Sequence, residues 1–66
     1  MEEIIEENNG LIYQIINKYR NYFDIDDLYQ VAVIGLIKAK NNYNNSFNTK
    51  FSSYAYPYIL GEVISY

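Results

Sequence analysis

Sixty-six residues make at most one small domain, because a chain this short has much surface and little core. Half of the residues are apolar, 20% are charged and 18% are aromatic, which excludes a disordered tail. The absence of Cys and His removes disulfide and zinc staples along with the commonest general base, so no catalytic residue, cofactor or metal site is expected. The longest apolar stretch, Val31–Ile37 with Gly35 inside it, is too short to span a bilayer. The acidic start, Met1-Glu2-Glu3, is the reverse of a secretory signal. A small, soluble, cytoplasmic, non-enzymatic domain is expected, with no membrane partner.

The net charge of −3 is unevenly spread. Residues 1–42 carry seven acids and four bases, whereas residues 43–66 carry only Lys50 and Glu62. That second part holds seven of the twelve aromatics: Tyr43, Phe47, Phe51, Tyr54, Tyr56, Tyr58 and Tyr66. Without a basic stripe the chain is not expected to hold duplex nucleic acid alone, since Lys and Arg supply most non-specific affinity for phosphate. Aromatic rings still stack on unpaired bases, a contact that needs little net charge. The nine Asn, nine Tyr and ten Ile are also residues of A/T-rich codons, so mutational bias is a second source of this composition.

The elements read as an all-α, three-helix bundle, with helices over about 2–21, 26–42 and 52–66. In the first, Ile4, Ile5, Leu11, Ile12, Ile15, Ile16 and Tyr19 recur at helical spacing. Glutamates in its first turns and Lys18 and Arg20 near its end suit the helix dipole. Gly10 either breaks this helix or lets another helix approach closely. Asp24 reads as the N-cap of the second helix, with Asp27 at its third position and Phe23 placed to staple onto Leu28. Leu28, Ala32, Gly35, Leu36 and Ala39 form the buried side, and small Ala32 and Gly35 are expected to admit the first helix. Val31, Val33, Ile34 and Ile37 add more apolar surface than one partner helix covers, which points to a protein partner. Asn41–Thr49 reads as a loop. Ser52 or Ser53 is the expected cap of the third helix, with Pro57 near its first turn and Ala55, Ile59, Val63 and Tyr66 as its buried stripe. No capping residue closes that helix, so the whole of 1–66 is expected to be one domain cut short at its C-terminal end.

Asp24, Asp26 and Asp27 read as capping carboxylates before metal ligands, because no further oxygen ligand lies at a recognisable spacing. Tyr54, Tyr56 and Tyr58 fall on different faces near a helix start, so all three cannot be core. Beside Lys50, Ser52 and Ser53 they form a candidate surface for stacking and hydrogen bonding to bases.

Several blocks, in order, then resemble region two of bacterial RNA polymerase sigma factors of the sigma-seventy class, particularly the sporulation and general-stress type. They are Asn9-Gly10-Leu11-Ile12-Tyr13, Asp26-Asp27-Leu28-Tyr29-Gln30, Ile34-Gly35-Leu36-Ile37-Lys38-Ala39 and the run from Lys50 to Val63. The resemblance implies that the second helix docks on the clamp coiled coil of the beta-prime subunit of RNA polymerase through Asp27, Gln30, Val31, Val33 and Ile37. It implies that the second half holds the non-template strand of the minus-ten promoter element, only within holoenzyme. Tyr43 would line the pocket of a flipped adenine with Lys50, Ser52, Ser53, Tyr54 and Tyr58 nearby, and Pro57 would stand at a wedge position. Gly61 and Ile64 replace residues that read the upstream base pair. The chain departs from the family pattern at Val31, where an acid is usual, and at Leu60, where Arg is common. It departs also at Phe47 and Asn48, where a basic residue and Gly are common.

Two functions follow from these readings. The first is a transcription initiation factor domain that binds polymerase and then melted promoter DNA. The second is a sigma-like protein-interaction module that binds polymerase or an anti-sigma factor without engaging DNA.

Overall fold

Helical periodicity is realised along most of the chain. In the computed structural model, which describes residues 2–44 and 46–66, α1 spans Glu2–Glu7, α2 Asn9–Ile16, α3 Ile25–Asn42 and α4 Phe51–Ser65. Met1, in the acidic start, and Asn45, in the Asn-rich loop, lie outside the described residues.

The expected first helix over 2–21 is two shorter ones. The break falls at Asn8, two residues before Gly10. The Asn8 side-chain amide donates to the Ile4 carbonyl at 2.8 Å, while its backbone N–H is shared between Ile4 and Ile5 carbonyls at 3.2 Å each. Asn thus competes for the carbonyl that a continuing helix would use. Gly10 admits no close neighbour, since nothing lies within 4 Å of where its Cβ would stand. After Ile16 the chain tightens into turns, with Lys18 N–H reaching the Ile15 carbonyl and Tyr19 N–H the Ile16 carbonyl. Lys18 and Arg20 therefore lie beyond the end of α2. The Lys18 ammonium instead donates to the Tyr56 hydroxyl of α4 at 3.1 Å.

α3 begins as its cap predicts. The Asp24 carboxylate accepts from Asp26 N–H at 2.8 Å and from Asp27 N–H at 3.4 Å, and this satisfies two of the donors that a helix start leaves free. The Phe23 ring lies edge-on to Tyr66, with centroids 5.7 Å apart. Leu28, Ala32, Gly35, Leu36 and Ala39 are the buried side of α3, as the spacing requires. The helix ends at Asn42, the bound its period gives, so Asn41 and Asn42, which composition also places at the head of the loop, belong to the helix.

Gly35 receives α4, not the first helical segment. A Cβ built there would stand 2.7 Å from both the Ile59 Cα and the Tyr58 carbonyl oxygen, so the two backbones touch where α3 lacks a side chain. α4 itself differs from expectation in two ways. Its N-cap is Lys50, which makes no side-chain cap bond, and Ser52 and Ser53 lie within the first turn. Pro57 lies inside the helix, in its second turn. It lacks the N–H that would reach the Ser53 carbonyl, a loss worth about 3 kcal/mol in a helix interior.

Ile12, Ile15 and Ile16 of α2, Leu28, Ala32, Leu36 and Ala39 of α3, and Ala55, Ile59 and Val63 of α4 form one core. Tyr66 stays outside it, 54% exposed, because it lies past the last helical residue. Among the described residues no helix is long and apolar enough to cross a membrane.

Candidate protein and nucleic-acid interfaces

α3 turns a row of four side chains away from the core. Asp27, Gln30, Ile34 and Ile37 are spaced three, four and three residues apart, which sets them on one face opposite Leu28, Leu36 and Ala39. Asp27 and Gln30 are exposed, Ile37 is half-buried, and Ile34 leaves 48% of its surface in water. Ile34 belongs to the apolar excess but not to the docking set expected from the sequence. Its place between Gln30 and Ile37 in the helical period was the available signal. Val31 and Val33, which were included, flank the row half-buried and packed against the core. Part of the apolar excess, Val31 and Val33, is therefore absorbed by the fold, and Ile34 with half-buried Ile37 remains on the outward row.

Asp27 also has a partner within the chain. The Tyr66 hydroxyl donates to its Oδ2 at 3.0 Å, so the end of α4 touches the start of α3. This bond to a carboxylate, followed by burial, raises the Tyr66 pKa above the ordinary tyrosine value. On the same side of the bundle Lys38 of α3 forms an exposed ion pair with Glu62 of α4. Such surface pairs are worth about 0–1 kcal/mol.

The second surface is a cluster of five rings where α3 passes into α4. Tyr43 lies 5.8 Å from Phe47, 5.2 Å from Phe51 and 5.3 Å from Tyr54, centroid to centroid. Phe47 is 5.6 Å from Tyr54, and Tyr54 is 5.2 Å from Tyr58. These are tilted and edge-on packings in the range that aromatic pairs prefer. Two of the hydroxyls bond to the backbone. Tyr43 donates to the Thr49 carbonyl at 2.7 Å and Tyr54 to the Asn42 carbonyl at 3.2 Å, tying both sides of the connecting loop. The Tyr54 and Tyr58 hydroxyls meet at 3.2 Å, and this bond, followed by burial, raises the Tyr54 pKa.

The predicted nucleic-acid residues thus divide. Tyr43, Tyr54 and Tyr58 come together, and they bring Phe47 and Phe51, which were not assigned to the site. Tyr56 does not join them. It shares an open cleft with Leu11, Ser52 and Ser53 on the other edge of α4 and accepts the Lys18 bond there. All three tyrosines are half-buried against the core, so the expectation that they stand exposed together is corrected. Lys50 is exposed at the start of α4, and Pro57 and Gly61, four residues apart, share its outer face.

With that geometry in place, comparison with known proteins gives a consistent result. Residues 4–66 match the family Sigma-70 region 2, and the chain belongs to that family. It is 41% identical to the RNA polymerase sigma-G factor of Bacillus subtilis (strain 168), covering 98% of this chain and 25% of that protein. It is 44% identical to the sigma-G factor of Clostridium acetobutylicum, covering 98% and 26% respectively. It is 35% identical to the sigma-F factor of Priestia megaterium, covering 94% and 25%. The chain thus spans about a quarter of the length of each of these relatives. No solved structure matches it with significance.

Proposed function

We propose that this chain is the part of a sigma-seventy-class transcription initiation factor that docks on RNA polymerase and takes up unpaired promoter bases. It is a non-enzymatic role. The match of residues 4–66 to Sigma-70 region 2 carries the reading. The row on α3 supplies the docking half: Asp27, Gln30, Ile34 and Ile37, flanked by Val31 and Val33, would face the clamp coiled coil of the beta-prime subunit. An apolar Ile34 rimmed by polar Asp27 and Gln30 has the make-up of an interface centre. Tyr43, Tyr54 and Tyr58, with Lys50, Ser52, Ser53, Pro57 and Gly61 around them, would hold the non-template strand of the minus-ten element within holoenzyme.

Capture on an immobilised beta-prime coiled coil tests the docking half. Ile34→Glu is expected to weaken it by at least tenfold, the effect of removing a central anchor. Ile34 is half-exposed, so helical circular dichroism should be unchanged. Wild-type chain that fails to bind the coiled coil would remove the docking half altogether.

One observation favours a narrower reading, a module that binds polymerase or an anti-sigma factor without DNA. The hydroxyls of Tyr43 and Tyr54 are both engaged by backbone carbonyls, and residues 43–66 carry one base, Lys50, against one acid, Glu62. Binding of a minus-ten non-template oligonucleotide to polymerase loaded with this chain separates the two. If that complex binds the oligonucleotide no better than core polymerase alone, the narrower reading holds.

A further inference from the structure

We infer that Phe47 is the ring on which this chain stacks an unpaired base, in the position expected of Tyr43. The inference rests on the reading that the domain takes up unpaired bases, and it names the residue that meets them.

Stacking needs a ring face that a base can reach. Tyr43 is hemmed by three rings, Phe47, Phe51 and Tyr54, all with centroids within 5.8 Å. Tyr54 is likewise hemmed by Tyr43, Phe47 and Tyr58. Both are half-buried, and both hydroxyls are spent on the backbone. Phe47 alone of the five is exposed, with 43% of its surface in water. It packs on both, edge-on to Tyr43 at 89° and tilted at 46° to Tyr54, and offers more open surface than either.

The ring is also held. Its backbone N–H donates to the Asn44 carbonyl at 2.9 Å, and Ser46 N–H donates to the Asn44 side-chain oxygen at 2.9 Å. The rings packed behind Phe47 restrict it before any base arrives, so less freedom is lost on binding. Stacking on a neutral ring is sequence-tolerant and needs no cation, which matches a half-chain whose charges are Lys50 and Glu62.

The test uses polymerase core loaded with this chain and a single-stranded DNA oligonucleotide carrying one 2-aminopurine, whose fluorescence is quenched by stacking. Wild type is expected to quench it. Phe47→Ala should abolish the quenching and weaken binding by at least about fivefold. Phe47→Tyr should restore both. The loss should not vary with salt, because no phosphate contact is removed. Phe47→Leu, which keeps the loop packed but has no ring face, should behave like Phe47→Ala; full quenching by Phe47→Leu would make the role one of packing and overturn the inference. Unchanged quenching and affinity in Phe47→Ala would overturn it too, as would tighter binding, which would make the ring a plug. A wild-type complex that binds the oligonucleotide no better than core polymerase would remove the reading beneath, and this inference with it.

Discussion

Replacing Gly35 by Ala adds one methyl group at the point where α3 and α4 touch. That methyl would stand 2.7 Å from the Ile59 Cα and the Tyr58 carbonyl oxygen and 3.0 Å from the Ile59 nitrogen. All three are backbone atoms, so no side-chain rotation relieves the overlap. Restoring an ordinary separation moves one helix off the other by about 1 Å, which loosens contacts along the whole interface. Overpacking costs typically 1–3 kcal/mol, and a rigid backbone obstacle belongs at the top of that range. Ala gains about 1 kcal/mol over Gly as a helix former, leaving a net loss of about 2 kcal/mol. A domain of this size has only about 3–10 kcal/mol in total. The melting temperature, read by circular dichroism at 222 nm, should fall by about 10 °C. Gly10→Ala and Gly61→Ala are matched controls: nothing lies within 4 Å of either Cβ position, and no described glycine has a positive φ. Each should gain up to about 1 kcal/mol from helix propensity alone. A Gly35→Ala protein as stable as wild type would refute the close helix approach.

Asp24→Ala should cost about 1 kcal/mol, a fall of several degrees in melting temperature, because two N–H groups at the start of α3 lose their acceptor. Tyr66→Phe removes the hydroxyl that donates to Asp27, and its effect should depend on pH. The folded-state pKa of Tyr66 is raised, so the stabilisation is complete below the ordinary tyrosine value near 10 and is lost as pH rises through the folded value. Urea titrations of wild type and Tyr66→Phe should therefore differ by a constant amount from pH 7 to about 9 and converge above about 10. A difference that grows with alkali would contradict the assignment.

The core positions of α3 and α4 were legible because burial on a helix follows its period. Ala55, Ile59 and Val63 can share no face other than the buried one, and Asp24 announces α3 by chemistry local to three residues. What the period does not encode is which element a face meets. Gly35 could be read as a point of close approach, but nothing in its neighbours names Ile59 as the partner. The break at Asn8 was hidden for a different reason. Asn is tolerated inside helices when its side chain points to water, and here it turns back to the Ile4 carbonyl. The ring cluster is least legible of all. Tyr43, Phe47 and Phe51 stand four residues apart across a loop, where no period applies, and only the turn at Asn44 and the two tyrosine bonds to backbone bring them onto Tyr54.

The two faces of α4 obey different rules. Its inner face fits the core closely enough that backbone meets backbone at Gly35. Its start and outer face carry an uncapped first turn, an interior Pro57 and an exposed Gly61 without neighbours. Pro costs about 3 kcal/mol and Gly about 1 kcal/mol in a helix interior, and a missing cap about 1 kcal/mol more. In a fold with so little stability to spare, these departures are too large to be neutral. Nor does the core require them: Pro57 and Gly61 are exposed, and a Cβ at Gly61 would meet nothing within 4 Å, unlike one at Gly35. Local choices that conflict with the helix, gathered on one face while the opposite face conforms, are characteristic of a surface fitted to something outside the fold. The outward row on α3 follows the same logic, since Ile34 stands in water where a charged residue would serve the isolated domain better. The chain is therefore least well adapted to standing alone along these two surfaces, the ones proposed above for polymerase and an unpaired strand.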